Sequence, residues 1–196
     1  MPNDALFKNK YRVSSIRWKG WNYSNNGYYF LTICTKNRQP YFGNIKNGKM
    51  FLSWMGKIVH ASWLEIPNHF DNATADVFVV MPDHFHGIIR IKNIHDADIP
   101  PVETLQCNVS TRMPMKTRMP KNINRTMKII SPKRGSISII IRSFKSACTK
   151  KIHLMEYSDF SWQPRYHDRV IRDEFELNRI RKYIRDNPKN WKSRII

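Results

Sequence analysis

Hydrophobic residues in this chain follow two spacings, and each spacing predicts one kind of element. Residues 28–35 (YYFLTICT) are almost all aromatic or β-branched, which predicts a strand buried on at least one face. Residues 37–49 contain glycine and proline with little periodicity, so we expect a loop or a small ribbon there. Residues 54–66 have helical spacing after Ser53, a candidate N-cap, and Pro67 is expected to end that helix.

A hairpin is predicted next, around one short turn. Residues 77–81 form an apolar run, a Pro-Asp pair interrupts it, and residues 84–91 (HFHGIIRI) continue as a β-rich segment. Side chains alternate between the two faces of a strand, so His84 and His86 are expected on the same face. Two neighbouring imidazoles are half of a metal site, which needs a further oxygen or nitrogen ligand.

The second half of the chain predicts two more helices with a strand between them. Residues 135–153 place apolar side chains three and four apart, which is typical of an amphipathic helix. Residues 166–172 alternate in polarity and predict a short strand. Asp173 is the candidate N-cap of a last helix, with a glutamate three residues on as its capping-box partner. That helix must end at Pro188, because proline cannot continue it.

The predicted order is strand, helix, two-stranded hairpin, helix, strand, helix. Strands and helices mix along the chain around an antiparallel hairpin. This order predicts an α+β fold, in which helices pack on one face of a small antiparallel sheet.

Residues 93–134 differ from the rest of the chain in composition. They contain five prolines and the segment Thr-Arg-Met-Pro twice, at 111–114 and 117–120, without a periodic core pattern. We therefore predict a single domain over residues 1–196 with a flexible basic insertion at about 93–134. The positive charges of the insertion would either contact a phosphate backbone or stay solvated.

The net charge of the chain indicates a class of binding partner. The chain has 34 Lys and Arg residues against 15 Asp and Glu residues, a formal net charge of +19. So basic a domain usually binds a polyanion, and nucleic acid is the first candidate. The alternatives are a merely soluble basic protein and a protein held at an anionic membrane surface. The candidate contacts with nucleic acid are Arg17, Lys19, Arg142, Lys145, Arg169 and Arg172.

The first two of these contacts lie in a basic N-terminal segment that also carries aromatic residues. Those aromatic side chains would either stack on bases or pin the segment onto the core. Three distant cysteines, Cys34, Cys107 and Cys148, argue against a disulfide framework and against a cysteine-rich zinc site. No apolar stretch resembles a secretory signal or a membrane span, so we expect a cytoplasmic protein without a membrane partner.

The last predicted helix offers a partner for the two histidines. Tyr183 and Asn187 are four residues apart and therefore share a helix face. If that face crosses the strand of His84 and His86, two nitrogens and an amide oxygen would form an open site that suits Mg²⁺ or Mn²⁺. Such a metal would polarise a scissile phosphate while a tyrosinate attacks the phosphorus.

Each of these residues also has a simpler explanation. Two histidines on a strand more often fill a surface or a core, and a helix tyrosine such as Tyr183 more often packs. Asn187 precedes Pro188, so it would serve as a C-terminal cap. Tyr166 and His167 are a rival nucleophile and a rival ligand. Spacing alone does not decide between these alternatives.

Taken together, the motifs resemble a known family. Residues 81–89 (MPDHFHGII) resemble the His-hydrophobe-His motif of HUH-type single-tyrosine transposases, in particular the REP-associated tyrosine transposases and their relatives among small insertion-sequence transposases. Supporting segments are 29–32 (YFLT), 143–146 (SFKS), 162–163 (WQ), 169–172 (RVIR) and 183–188 (YIRDNP).

The resemblance implies a ferredoxin-like HUH transposase domain with a divalent metal. His84 and His86 would bind that metal, Asn187 would be its third ligand, and Tyr183 would be the nucleophile. The substrate would be single-stranded or hairpin DNA, cleaved and rejoined through a 5′-phosphotyrosine by a homodimer. One departure is Asp83, since asparagine is more usual before the first histidine. The long basic insertion is another.

Two other functions remain open from the sequence. A non-catalytic basic DNA-binding module would use charge and aromatic side chains, with histidines that are only structural. A metal phosphodiesterase that activates water would still cleave DNA after the loss of Tyr183.

Overall fold

The structure is a computed structural model that describes residues 20–93 and 135–191. The predicted DNA contacts Arg17 and Lys19 lie outside the described residues, as does nearly all of the predicted insertion. The strands are β1 (Gly27–Cys34), β2 (Gly43–Lys46), β3 (Lys49–Leu52), β4 (Ala73–Val80), β5 (His84–Ile91) and β6 (His167–Ile171). The helices are α1 (Trp54–Leu64), α2 (Ile66–His69), α3 (Ile137–His153) and α4 (Glu174–Asp186), with a 3-10 turn at Lys36–Arg38.

In the described ranges, β1, β4, β5 and β6 form one antiparallel sheet in the order β4-β5-β1-β6. The strands β2 and β3 form a separate two-stranded ribbon, one of the two alternatives expected for residues 37–49, and it extends to Leu52. A helix connects β1 to the hairpin, and α3 connects the hairpin to β6. The predicted α+β, ferredoxin-like class is confirmed.

One face of the sheet is covered by α1 and α3 over a core of large aromatic side chains. The ring centroids of Trp63 and Phe85 are 4.4 Å apart, and those of Trp63 and Phe144 are 5.2 Å apart. A Cβ atom on Gly87 would lie 2.6 Å from the indole of Trp63, so only glycine lets α1 approach β5 this closely. The residue after the two histidines is therefore part of the main core.

The last helix, α4, packs on the opposite face. The sequence predicts helices on one face only, and this holds for α1 and α3 but not for α4. Leu177, Ile180 and Ile184 follow helical spacing and are buried with Ile88 and Ile171 in a second, smaller cluster. Because side chains alternate along β5, Ile88 faces α4 together with the two histidines.

Element boundaries differ most from the prediction at two places. Helix α1 ends at Leu64, and Pro67 lies in the first turn of α2, where proline is tolerated. Strand β4 begins at Ala73, earlier than the predicted residue 77. No helix in the described ranges is both long and apolar enough to cross a membrane.

The predicted N-cap of α4 is present. The side chain of Asp173 accepts a hydrogen bond of 2.7 Å from the backbone N–H of Glu176. The capping box differs in one detail, because the carboxylate of Glu176 accepts from the N–H of Arg172, one residue before the cap. This arrangement starts α4 immediately after β6 and directs it back across the sheet.

Candidate active site

The strand β5 begins with two buried histidines that lie side by side on the α4 face. The Nε2 atoms of His84 and His86 are 3.1 Å apart. Two nitrogen ligands at right angles, each about 2.1 Å from a cation, would be about 3.0 Å apart. The separation therefore fits two neighbouring positions of an octahedral metal site.

The other ring nitrogen of each histidine has its own partner. His84 Nδ1 lies 2.5 Å from Asp83 Oδ1, and His86 Nδ1 lies 2.8 Å from Thr32 Oγ1 on β1. Burial by itself would raise the pKa of Asp83. The hydrogen bond with His84 and the positive charge of Arg38 lower it by a larger amount, so the pKa of Asp83 lies below its usual value. A carboxylate only accepts, so His84 donates its Nδ1 hydrogen to Asp83, and in the neutral ring this leaves the Nε2 lone pair for a ligand.

His86 is held in its neutral form. Burial, followed by the electrostatic effect of the neighbouring His84, lowers the pKa of His86 from 6.5 to about 3. A neutral imidazole is the form that binds metals. His86 is therefore ready to act as a ligand throughout the physiological pH range.

Tyr183 reaches this pair from α4. Its hydroxyl is 3.5 Å from His86 Nε2, and its ring packs edge-on against His86 and against Phe30. Phe30 in turn stacks on the His86 imidazole, with ring centroids 5.4 Å apart. The side chain of Tyr183 is 49% exposed, which leaves it open to a ligand from solution. The face of α4 that carries Tyr183 thus lies against the histidine strand, which meets the condition that the sequence argument left open.

Two further residues follow Tyr183 at helical spacing. Asn187 is the C-cap of α4 and keeps right-handed helical angles of φ −55° and ψ −44° despite the following proline. Its role as a metal ligand stays a prediction. Trp191 lies against His84, with ring centroids 5.6 Å apart. The sequence did not predict Trp191 at the site, because it lies beyond Pro188, where the helix was expected to end.

The two rival residues lie on opposite faces of the sheet: His167 is on the face of His84 and His86, and Tyr166 is on the main-core face. The hydroxyl of Tyr166 lies 3.3 Å from Ser138 Oγ, and its ring packs against the core beneath α1 and α3. His167 is exposed on β6, where it is the register partner of Thr32. In residues 20–93 and 135–191, no group of three or more His, Cys, Asp and Glu side chains forms a candidate metal site.

The predicted DNA contacts divide into two groups. The guanidinium of Arg169 forms an ion pair with the buried Glu176, and Lys145 Nζ donates to the backbone oxygen of Gln163 at 2.5 Å. Burial lowers the pKa of Lys145. Both side chains therefore have partners within the chain, and so does Arg172. The remaining predicted contact in the described residues, Arg142, is exposed.

The fold is shared with a solved structure of a REP-associated tyrosine transposase bound to a REP hairpin. The match covers 84% of this chain and 68% of that chain, with a TM-score of 0.50 and 16% sequence identity. At this identity the likeness shows a common transposase-like fold. A second match is to the crystal structure of a putative transposase from Deinococcus radiodurans R1. It covers 87% of this chain and 97% of that protein at 15% identity, and its TM-score of 0.43 supports no conclusion.

The sequence also has a close relative. A protein of Haemophilus influenzae is 35% identical over 180 residues, which are 90% of this chain and 88% of that protein. This chain therefore belongs to the same family as the Haemophilus influenzae protein, which is described only as an uncharacterized protein. No protein-family model matches the chain.

Proposed function

We propose that this protein is a transposase-like enzyme that cleaves single-stranded DNA and transfers the strand through a covalent 5′-phosphotyrosine on Tyr183. One observation carries the proposal: the Tyr183 hydroxyl lies 3.5 Å from His86 Nε2, which itself lies 3.1 Å from His84 Nε2. A phenol beside two imidazole nitrogens suits attack on a phosphodiester that is held near a cation.

Three side chains would hold that cation. The Nε2 atoms of His84 and His86 and the amide oxygen of Asn187 are ligands compatible with Mg²⁺ or Mn²⁺. When bound, the metal supplies Lewis acidity at the scissile phosphate and offsets its negative charge. The separation of the two nitrogens and the hydrogen-bonded state of their outer nitrogens support this part of the proposal.

The covalent step belongs to Tyr183. Its oxygen forms a bond to phosphorus, the bond from phosphorus to the 3′ oxygen breaks, and the phenolic proton passes to water. The leaving 3′ oxygen takes up a proton and becomes a free 3′-hydroxyl. The phosphotyrosine retains the energy of the phosphodiester, so the 3′-hydroxyl of another strand can reverse the step without a nucleotide cofactor.

The net charge of +19 supports DNA as the partner. The solved transposase with the same fold was bound to a REP hairpin, and we therefore propose hairpin or single-stranded DNA as the substrate. The exposed Arg142 and Arg172 would contact phosphates together with Arg17 and Lys19. Phosphates would compete with the interactions that Lys145, Arg169 and Arg172 make within the chain. The proposed enzyme is a homodimer, which light scattering of the purified protein tests.

A labelled DNA hairpin tests the chemistry and its polarity. The purified protein is incubated with Mn²⁺ and a hairpin that carries single-stranded flanks and a fluorophore at its 3′ end. We expect a labelled protein band that survives denaturing electrophoresis, because the 5′ phosphate of the 3′ fragment stays on Tyr183. With the fluorophore at the 5′ end, the label should appear on a free fragment that ends in a 3′-hydroxyl.

Two tyrosine variants separate the proposed function from its alternatives. Tyr183→Phe should abolish the covalent band, whereas Tyr157→Phe should keep it. Tyr157 is a matched control because its exposure, 40%, is similar to that of Tyr183, but its ring packs against Tyr41 and Trp54 instead of the histidines. A covalent band from Tyr183→Phe would show that the nucleophile is wrong. Cleavage without a band in Tyr183→Phe would favour the water-using phosphodiesterase. Binding without cleavage by the wild-type protein would favour the DNA-binding module.

A further inference from the structure

We propose that Asp83 is a positioning residue that raises the affinity of the histidine pair for its divalent cation. Its carboxylate would hold His84 in the tautomer whose Nε2 lone pair points at the cation, and Arg38 would steady that carboxylate from behind. The inference rests on the proposed function, because it concerns the cation that the proposed function requires.

The carboxylate of Asp83 is buried between two groups that use its two oxygens separately. Asp83 is only 6% exposed, in the turn between β4 and β5. Oδ1 lies 2.5 Å from His84 Nδ1, and Oδ2 lies 3.7 Å from a terminal nitrogen of Arg38. A buried carboxylate with this arrangement orients the imidazole and makes its far nitrogen more basic.

Asp83 is not itself a ligand of the proposed cation. Its oxygen contacts Nδ1 of His84, whereas Nε2 of the same ring faces His86 at 3.1 Å. The carboxylate and the cation would therefore lie on opposite sides of one imidazole. A substitution at Asp83 would change the properties of His84 and leave the number of metal ligands the same.

The turn that carries Asp83 is held in place through the backbone oxygen of Asp83. The backbone oxygen of Asp83 accepts from the N–H of Thr35 at 3.0 Å and from the Thr35 hydroxyl at 2.9 Å. Neither bond involves the carboxylate, so a side-chain substitution leaves them intact. Arg38, the other partner of the Asp83 carboxylate, lies in the 3-10 turn after β1. Asn37 (φ 53°) and Arg38 (φ 57°) have positive φ angles there, a conformation that non-glycine residues seldom adopt and that clusters at functional sites.

The two histidines differ in the support that they receive. His84 is supported by a carboxylate, whereas His86 is supported by the neutral hydroxyl of Thr32 at 2.8 Å. A charged acceptor forms a hydrogen bond roughly twice as strong as a neutral one. Substituting Asp83 should therefore weaken cation binding more than substituting Thr32, which provides a matched control on the same site.

The test is a titration of the full chain with Mn²⁺ in the absence of DNA. Electron paramagnetic resonance measures the free Mn²⁺ at each step, which gives the Kd of the cation. We expect Asp83→Asn to raise the Kd about tenfold, because the amide oxygen still accepts a hydrogen bond but carries no charge. Asp83→Ala should raise it by up to about 100-fold, because no acceptor remains. Thr32→Val and Arg38→Gln should each raise it by less than about tenfold.

A second measurement reads His84 directly. Nitrogen-15 NMR of the metal-free imidazoles should show one dominant tautomer of His84 in the wild-type protein and a mixture in Asp83→Ala. Thermal unfolding in EDTA should be nearly the same for wild type and Asp83→Asn, which excludes a purely structural effect on Kd.

The outcomes distinguish this inference from the proposed function. If the wild-type protein binds Mn²⁺ and both Asp83 variants bind it with the same Kd, the role of Asp83 is wrong and the proposed function is untouched. If the wild-type protein binds neither Mn²⁺ nor Mg²⁺, the proposed metal is wrong and the inference is overturned with it.

Discussion

The two faces of the sheet differ in what they bury. Beneath α1 and α3, β5 presents Phe85 to Trp63 and Phe144 in a continuous aromatic core. Beneath α4, the same strand presents His84 and His86, and the apolar cluster there is much smaller. One strand therefore serves stability on one face and candidate chemistry on the other.

The difference follows from the cost of burying polar groups. An imidazole or a carboxylate that is removed from water must be hydrogen-bonded, and it adds less stability than an aliphatic or aromatic side chain. The large core beneath α1 and α3 offsets this cost for the sheet as a whole. The helix that carries Tyr183 is attached by fewer apolar contacts, so we expect α4 to detach at a lower free energy than the sheet unfolds.

The largest loss of stability is expected from a substitution in the aromatic core. Trp63→Ala should lower the free energy of unfolding by about 3–5 kcal/mol, because a fully buried indole is replaced by a cavity. Urea denaturation followed by circular dichroism measures this change. Trp54→Ala in the same helix is the control and should cost at most about 1 kcal/mol, since Trp54 is exposed. Equal losses for the two variants would contradict the assignment of the main core.

A pair of isoleucines compares the two faces directly. Ile184 lies on α4 and packs in the smaller cluster, Ile141 lies on α3 in the main core, and both are fully buried. Replacing either with alanine should cost about 2–4 kcal/mol of packing free energy. Amide hydrogen exchange should show that Ile184→Ala accelerates exchange in α4 while β1 and β5 stay protected. Ile141→Ala should accelerate exchange throughout, and the same pattern in both variants would show that α4 is not a separate unit.

The ion pair between Asp76 and Arg181 is expected to hold α4 in a pH-dependent way. Arg181 contacts both carboxylate oxygens of Asp76, at distances from 2.6 to 3.2 Å. Burial raises the pKa of Asp76, but the hydrogen bonds from Arg181 and from the Val77 backbone outweigh it and lower the pKa below 3.8. A depressed carboxyl pKa adds stability above about pH 4, and that stability is lost as the pH falls through the folded-state pKa.

Asp76→Asn should therefore cost about 1–2 kcal/mol at pH 7 and almost nothing near pH 2, as measured by urea denaturation at both values. Glu174→Gln is the control, because Glu174 also approaches Arg181, at 3.6 Å, but is mostly exposed. It should change stability by less than about 0.5 kcal/mol at pH 7. A difference between wild type and Asp76→Asn that is independent of pH would contradict this role.

The smallest effect is expected from an ion pair on the core side. Lys151 on α3 contacts Glu65, just after α1, at 2.7 Å, and both side chains are more than one-third exposed. Lys151→Met keeps the apolar stem and should cost at most about 0.5 kcal/mol. The cost should vanish in high salt, because salt screens exposed charges. A loss as large as that of Asp76→Asn would show that ion pairs contribute alike on the two faces.

Local sequence signals predicted most of the fold because its elements are locally encoded. Alternation in 84–91, helical spacing in 135–153 and the cap at Asp173 each depend on residues near one another in the chain. The side of the sheet that α4 covers was not predictable in this way. It depends on which face of β5 remains after α1 and α3 have packed, and that is a property of the whole sheet.

The candidate site shows the same division. His84, His86 and Tyr183 were predicted, because two are adjacent on one strand and the third lies on the last helix. Thr32 and Arg38 were missed as partners of the site, since their roles depend on the register of β1 with β5 and on the turn after β1. No local pattern encodes contacts between residues about fifty positions apart.

The sequence by itself determined the α+β elements, the shared face of the two histidines and the basic charge. These follow from side-chain period, capping residues and composition, which are properties of neighbouring residues. Only the tertiary structure decided that α4 crosses the free face of β5 and brings the Tyr183 hydroxyl to 3.5 Å from His86 Nε2. That contact joins residues almost a hundred positions apart, and it exists because α1 and α3 cover the aromatic face of the sheet while α4 covers the histidine face.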